Sequence, residues 1–291
     1  MPTPQKAEPI THYENFPVAS WLCPPHLRSP IAAIYWFART ADDLADEGDA
    51  TAEERLNDLE AFRTDLVAAS KNAPNASFAS TRWPHIFTPL TAAIAKFSLP
   101  IKHLDDLLCA FEQDIRKTRD GLGYKTEAEL LDYCTRSANP VGRLLLHLYG
   151  ITDEIALSYS DDICTSLQLI NFWQDLSQDI PRGRFYLSDA ACAQFGVSRA
   201  ELINSVQTKQ QSQNATKLIA AKATNTPARM INGSKLVHLI PGRAGWELRL
   251  VVQGGLRILD KIKALNYQML TNRPKLNTWD YVVIGWRALW M

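Results

Sequence analysis

The chain has 291 residues, of which 46% are hydrophobic and 21% are charged. Its 31 Lys and Arg balance 31 Asp and Glu, so the net charge is zero and nothing indicates nucleic acid as a partner. Five scattered cysteines without metal-ligand spacing favour a reducing compartment over a disulfide framework. The sequence shows no signal peptide and no uncharged apolar run of the ~18 residues that span a membrane. We therefore expect a cytoplasmic protein.

Helical periodicity of apolar residues dominates the sequence, and no run alternates as a strand does. The polar stretch 206–235 indicates a helix end followed by a long mobile loop from Thr224 to Arg229. No internal repeat or convincing linker divides the chain, so the pattern predicts a single all-α helical bundle over residues 1–291. The predicted helices cover 31–46, 52–69, 84–96, 101–118, 126–149, 152–179, 197–222, 243–272 and 278–290.

Two aspartates end the first predicted helix. Asp42 and Asp46 lie four residues apart, so their carboxylates share one helix face. Like charges at this spacing repel, and a helix C-terminus disfavours anions. A divalent cation would convert the repulsion into attraction, and Mg²⁺ typically takes one or two carboxylates and completes its shell with phosphate oxygens and water. A solvated acidic helix end is the alternative interpretation of this segment alone.

A second pair repeats the spacing on the helix predicted over 152–179. Asp175 and Asp179 follow Asn171 at steps of four, and Gln168 lies one turn earlier. They form a polar stripe on a helix that is too apolar to be freely solvated. Two such pairs facing each other across a bundle predict a site for a metal-bound diphosphate.

Several motifs resemble the squalene/phytoene synthase family, whose members join isoprenoid units head to head. The resemblance covers about 12–276 and is strongest to the branch that forms hydroxysqualene in bacterial hopanoid biosynthesis. Its motifs are His12–Ser20, Phe37–Asp46, Ser137–Arg143, Asn171–Asp175, Gly183–Leu187 and Gly254–Leu259.

The resemblance implies an all-α isoprenoid-synthase fold around a central apolar cavity, with two or three Mg²⁺ ions at its mouth and no NADPH. It places Tyr133 near the reacting carbons. The metal ligands that it implies are Asp42, Asp46, Asn171, Asp175 and Asp179. The substrate contacts that it implies are His12, Asn15, Arg39, Gln168 and Asn171.

Residue chemistry adds further substrate contacts. Arg184 follows the second pair, as does Arg182, and a guanidinium either binds the leaving diphosphate or caps the helix. Phe16 offers an aromatic face to a carbocation. The small residues Ser137 and Ala138 leave room for an isoprenoid chain.

The resemblance implies that presqualene diphosphate and water react to give hydroxysqualene and diphosphate. Gln174 stands where carotenoid-forming members often carry Arg, and Gly254-Gly255 replaces a tyrosine common on the C-terminal helix. Both departures are typical of the hydroxysqualene branch. The enzymatic alternative is a synthase that joins two prenyl diphosphates into presqualene diphosphate, dehydrosqualene or phytoene. The non-enzymatic alternative is an inactive assembly or scaffold protein of the same fold.

The C-terminal segment Trp279–Trp290 is aromatic and apolar. It either packs on the bundle or lies at a membrane interface, which would make the protein membrane-associated. An isoprenoid diphosphate is the expected substrate, and enzymes of the same pathway are further expected partners.

Overall fold

The computed structural model describes residues 23–72 and 78–291. Within these ranges the chain forms α-helices and no β-strand, and short 3₁₀ helices follow α7 and α10. The helices are α1 (Pro25–Asp46), α2 (Ala52–Asn72), α3 (Pro84–Phe97), α4 (Ile101–Arg119), α5 (Glu127–Ser137), α6 (Asn139–Leu148), α7 (Glu154–Asp179), α8 (Asp189–Gln194), α9 (Arg199–Thr208), α10 (Gln213–Gly233), α11 (Arg243–Ala264) and α12 (Thr278–Leu289).

Two hydrophobic clusters make up the core. The first gathers α1, α2 and α3 around Phe37, Phe62 and Phe87, whose ring centroids lie 4.8–6.1 Å apart. Burial of each of these rings contributes about 2 kcal/mol. The second gathers α7, α10 and α11 around Trp173 and Met230. Helix α4 packs against α1 and α2 on one side and against α5 on the other, so it joins the two clusters.

Two helix boundaries differ from the predicted ones because of proline. Helix α1 begins at Pro25 rather than at Ile31, since proline is well suited to the first turn of a helix, where its missing N–H group costs nothing. The helix predicted over 126–149 is two helices, with α5 ending at Ser137 and α6 beginning at Asn139. Pro140 lies in the first turn of α6, so it starts a new helix instead of bending a continuous one.

The loop predicted from Thr224 to Arg229 is wrong, because α10 runs through these residues. Thr226 is buried and accepts a hydrogen bond of 3.1 Å from the Trp173 indole N–H group on α7. Met230, one turn later, has no exposed surface. Packing of this face therefore outweighs the roughly 3 kcal/mol that Pro227 costs inside a helix.

Helix α12 is fixed on α11 through Asp280, whose side chain has no exposed surface. Its carboxylate accepts hydrogen bonds from Arg257 Nε at 2.7 Å and Lys261 Nζ at 2.5 Å. Asn277 and Asp280 also cap the start of the helix reciprocally. Burial alone would raise the pKa of Asp280, but the hydrogen bonds from Lys261, the Asn277 backbone and Arg257 lower it to about 2. The face of α12 that carries Asp280, Ile284 and Ala288 thus packs on the bundle.

Among the described residues, no helix combines the length and the hydropathy needed to cross a bilayer. The five cysteines all lie in these ranges and are unpaired, as their scatter predicts.

Candidate active site

The last turns of α1 hold Arg39 among acidic side chains. Its guanidinium lies 3.3 Å from Asp42, 2.7 Å from Asp43 and 2.9 Å from Glu47. Although 42% of the Asp42 side chain is accessible, protein atoms crowd its carboxylate. This burial raises the pKa of Asp42 to about 6, with Arg39 opposing the rise and Asp46 adding to it. The first pair is therefore crowded by like charge, as its spacing predicts.

The last turns of α7 hold the second pair. Asn171 donates a hydrogen bond of 3.1 Å to Asp175, one turn later on the same face. Asp175 also accepts two hydrogen bonds from Arg273, at 2.5 and 3.1 Å. Burial raises the pKa of Asp179 to about 7, the charge of Asp175 adds to the rise, and Arg184 opposes it. Arg273 follows α11 in a stretch without helical pattern, so nothing in its local sequence pointed to the site.

Arg184 connects the two pairs. Both of its terminal nitrogens donate to Asp46, and Arg182 donates to the same carboxylate at 3.2 Å. Arg184 also lies close enough to Asp42 and Asp179 to lower the pKa of each. Gly183, with a φ of +79°, makes the left-handed turn that directs the chain from the end of α7 to this position. The two arginines therefore contact the first aspartate pair rather than capping α7.

An open cleft of about 660 Å³ lies beside Asp46. Two arginines of its lining are otherwise engaged: Arg55 binds the carbonyls of Ala50 and Gly48, and Arg119 pairs with Asp120. Arg182 and Arg184 complete the cationic lining. Both bind Asp46, so of the four arginines they are the two that contact the aspartate pairs.

Asp114 of α4 lies at the centre of three tyrosines. It was not predicted from the sequence. It accepts hydrogen bonds from the Tyr133 hydroxyl and, at 3.3 Å each, from the hydroxyls of Tyr124 and Tyr186. Burial raises the pKa of Asp114, while the hydrogen bond from Tyr133 and the charge of Arg184 oppose the rise. Burial and the Asp114 charge raise the pKa of Tyr133, so its phenol stays protonated at neutral pH.

Stacked aromatic rings extend from this carboxylate toward the second aspartate pair. Tyr186 stacks on Phe172 with ring centroids 3.8 Å apart, and Tyr133 lies 6.2 Å from Phe172. Tyr186 belongs to the motif Gly183–Leu187, which, with the predicted Tyr133, was the sequence signal for this cluster. Trp173, the next residue after Phe172, donates its indole N–H group to Thr226 in the core.

The break between α5 and α6 places Ser137 and Ala138 one turn after Tyr133. Within the described ranges, the Ser137 hydroxyl is buried without a hydrogen-bond partner. Such an orphaned polar group fits a substrate contact. Gly142, also a small residue of this motif, serves packing, since a Cβ there would lie 2.3 Å from Ser160 Oγ on α7. Gln168 is partly buried on α7, one turn before Asn171.

The two departures from the family pattern have structural counterparts. Gln174 donates a hydrogen bond of 2.8 Å to the Pro274 carbonyl. Pro274 directly follows Arg273, which binds Asp175. Gln174 therefore holds the segment that carries Arg273. A Cβ on Gly255 would lie 2.9 Å from Leu167 and 3.0 Å from Met230, so α11 approaches α7 where a larger side chain has no room.

His12, Asn15 and Phe16 lie outside the described residues. The other predicted site residues fall on α1, α5 and α7, at the break after α5 and in the turn after α7. Arg184 links the first pair to the second, whereas Tyr133 belongs to the Asp114 cluster.

The donors at the ends of α1 and α7 fit Mg²⁺. Carboxylate and amide oxygens are hard ligands, and a cation would oppose the burial and the like charge that raise the pKa of Asp42 and Asp179. Within residues 23–72 and 78–291, no three Asp, Glu, His or Cys side chains gather closely enough to hold a metal by themselves.

Known proteins resemble the chain over most of its length. The profile of the squalene/phytoene synthase family matches residues 11–280. A hydroxysqualene synthase of Sinorhizobium fredii is 31% identical over 263 residues, which cover 89% of this chain and 82% of the relative. A hydroxysqualene synthase of Rhodopseudomonas palustris is 30% identical over 282 residues, which cover 95% and 88%.

Solved structures show the same fold. The crystal structure of squalene synthase HpnC from Alicyclobacillus acidocaldarius superposes with a TM-score of 0.74 at 33% identity, covering 88% of this chain and 90% of that one. A dehydrosqualene synthase in complex with a ligand gives a TM-score of 0.75 at 20% identity and coverages of 92% and 88%, a likeness of fold alone. The predicted all-α isoprenoid-synthase fold is confirmed. The chain belongs to the squalene/phytoene synthase family and is a synthase enzyme of that family.

Proposed function

We propose that the chain converts presqualene diphosphate and water into hydroxysqualene and diphosphate. The observation that carries this proposal is Arg184, which binds Asp46 at the end of α1 and lowers the pKa of Asp179 at the end of α7. Two carboxylate pairs joined by a guanidinium suit a metal-bound diphosphate. The hydroxysqualene synthases at 30–31% identity support this branch of the family.

The first step is departure of diphosphate. The carbon–oxygen bond breaks, and both of its electrons leave with the diphosphate oxygen. Arg39, Arg182 and Arg184 would bind the departing anion, because a guanidinium forms paired hydrogen bonds with phosphate oxygens. Bound Mg²⁺, in two or three ions, would supply charge neutralisation of the leaving group. Its proposed ligands are Asp42, Asp46, Asn171, Asp175 and Asp179.

The second step is capture of the carbocation by water. The faces of Phe172 and Tyr186 would stabilise the cation without reacting with it. The Tyr133 hydroxyl donates to Asp114, so its oxygen is free to accept a hydrogen bond from water and orient it. The water oxygen forms the new carbon–oxygen bond while a ring carbon–carbon bond of the cyclopropylcarbinyl cation breaks, and the electrons of that bond form a carbon–carbon double bond. A proton of the water passes through Tyr133 to the Asp114 carboxylate, whose raised pKa suits a proton acceptor.

Further contacts complete the proposal. The isoprenoid chains would lie in the apolar interior beside Ser137 and Ala138, with Gln168 near the diphosphate end. His12, Asn15 and Phe16 are proposed substrate contacts from the family motif alone. We further infer a cytoplasmic location, peripheral contact with a membrane and contact with enzymes of the same pathway.

A substrate comparison tests the reaction. Purified protein with Mg²⁺ should form hydroxysqualene from presqualene diphosphate and leave farnesyl diphosphate unchanged. Asp42→Asn combined with Asp175→Asn should abolish turnover while circular dichroism shows the helical fold intact. No turnover of presqualene diphosphate by the wild type would contradict the proposal.

A second candidate is synthesis of presqualene diphosphate itself. It is favoured by the presqualene diphosphate synthase of Zymomonas mobilis, which is 30% identical over 173 residues and covers 60% of this chain and 55% of that relative. Formation of presqualene diphosphate from farnesyl diphosphate in the same assay would establish this activity.

A further inference from the structure

Helix α12 carries apolar side chains on two opposite faces. Ile284 and Ala288 are buried against the bundle, together with Asp280. At 100° per residue, a second set of apolar residues falls on the side away from the bundle. No charged side chain belongs to this second set, which we call the outer face of α12. Its members, all 58–77% exposed, are Trp279, Val282, Trp286, Leu289 and Trp290.

The outer face continues onto α11. Trp246 and Leu250 of α11 are 44% and 39% exposed. The Arg249 guanidinium lies 4.8 Å from the Trp246 ring and also donates to the carbonyls of Ala288 and Met291 at the end of α12. Arg249 therefore places the Trp246 ring beside the C-terminal end of α12. Contiguous apolar surface of this kind is uncommon on a monomer and indicates a binding surface.

Charge identifies the partner. From Arg243 to Met291 the chain has eight Lys and Arg against three Asp and Glu, although the whole chain is neutral. Several of these charges are paired: Arg257 and Lys261 with Asp280, Arg287 with Asp260, and Arg273 with Asp175 of α7. Lys263 and Lys275 are exposed. A second copy of this surface would bring the same positive charge, and like charges repel. Anionic lipid headgroups are complementary to this charge, and tryptophan is enriched where hydrocarbon meets water.

The outer face lies close to the proposed active site along the chain. Arg273 binds Asp175, and α12 begins five residues later at Thr278, at most about 17 Å of extended chain away. The proposed substrate and product are long isoprenoids that partition into lipid. We propose that the outer face of α12, with Trp246 and Leu250, binds the surface of an anionic membrane; the choice of a lipid partner rests in part on the proposed function.

Vesicle flotation of the whole chain tests this proposal without substrate. Wild-type protein should float with phosphatidylcholine vesicles that contain phosphatidylglycerol, and added salt should weaken the binding. Trp286→Gln combined with Trp290→Gln should lower the bound-to-free ratio at least about tenfold, because two anchoring rings are lost. Val67→Gln combined with Ile155→Gln replaces apolar residues that are 42% and 58% exposed elsewhere, and should bind as wild type does.

Three results would overturn the proposal. The first is failure of the wild type to float with anionic vesicles, and the second is equal flotation of the wild type and the tryptophan variant. The third is a wild-type dimer that does not bind vesicles and that becomes a monomer in the tryptophan variant, as measured by sedimentation velocity. Turnover in detergent without vesicles separates this inference from the proposed function. The tryptophan variant should keep wild-type turnover there. Flotation without any turnover of presqualene diphosphate would contradict the proposed function alone.

Discussion

At the scale of single residues, Asp114 determines the orientation of Tyr133, because its carboxylate accepts a hydrogen bond from the Tyr133 hydroxyl. It also accepts hydrogen bonds from the hydroxyls of Tyr124 and Tyr186. The hydroxyls of Tyr124 and Tyr186 lie 3.3 Å away, which is longer than the usual O–H···O hydrogen bond. Tyr133 therefore makes the shortest of the three contacts.

Tyr133→Phe should lower kcat about 100-fold, since it removes the group that orients water and transfers its proton. Products formed by loss of a proton from the carbocation should replace part of the hydroxysqualene. Steady-state kinetics with product chromatography measures both effects. Tyr124→Phe is the matched control and should keep the wild-type product. An unchanged product profile for Tyr133→Phe would remove this tyrosine from the capture of water.

Metal affinity should depend on pH through Asp42 and Asp179. Their pKa values are raised to about 6 and about 7 by burial, so both carboxyls are largely protonated below pH 6. A protonated carboxyl must lose its proton to bind Mg²⁺, so affinity should fall as the pH falls through 7 and 6, about tenfold per pH unit for each proton released. Calorimetric titration with Mg²⁺ and diphosphate measures this slope. Constant affinity between pH 5 and 8 would contradict it.

At the scale of elements, the periodic helices were predictable and their interruptions were not. Helices α2 and α4 match their predicted ranges closely because each has one continuous apolar face. The prediction of a loop within α10 is wrong because local composition cannot show that Thr226 packs against Trp173. Arg273 was missed for a related reason: its contact with Asp175 joins residues 98 positions apart.

Attachment of α12 to α11 should depend on Asp280. Asp280→Asn leaves Arg257 and Lys261 without a buried counter-charge and should lower the free energy of unfolding by roughly 3 kcal/mol at pH 7. Asp260→Asn is the matched control, because its pair with Arg287 is about two-fifths exposed on both sides and should contribute under about 1 kcal/mol. Urea denaturation measures both values.

The acid dependence of stability provides a second check on Asp280. Its pKa is lowered to about 2 in the folded protein, against 3.8 ordinarily. The carboxylate therefore stabilises the fold above pH 3.8, and this contribution is lost as the pH falls toward 2. Asp280→Asn should flatten the loss of stability between pH 4 and 2. If the free energy of unfolding falls equally steeply with pH in the wild type and the variant, Asp280 is not the source of the acid dependence.

At the scale of the whole molecule, the fold and family followed from motifs, whereas the arrangement of the site needed the structure. Spacing alone placed Asp42 with Asp46 and Asp175 with Asp179, since contacts within one helix depend only on its period. The links between helices, through Arg184 and Asp114, depend on how α1, α4 and α7 pack. Such links carry no local signal, which is why the Asp114 cluster was not predicted.

The central claim is that water captures the carbocation formed from presqualene diphosphate, and isotope labelling tests it most directly. Purified protein with Mg²⁺ is incubated with presqualene diphosphate in ¹⁸O-labelled water, and the product is analysed by mass spectrometry. We predict hydroxysqualene whose hydroxyl oxygen carries the label from water. Unlabelled product, a hydrocarbon as the sole product, or unreacted presqualene diphosphate would contradict the proposed reaction.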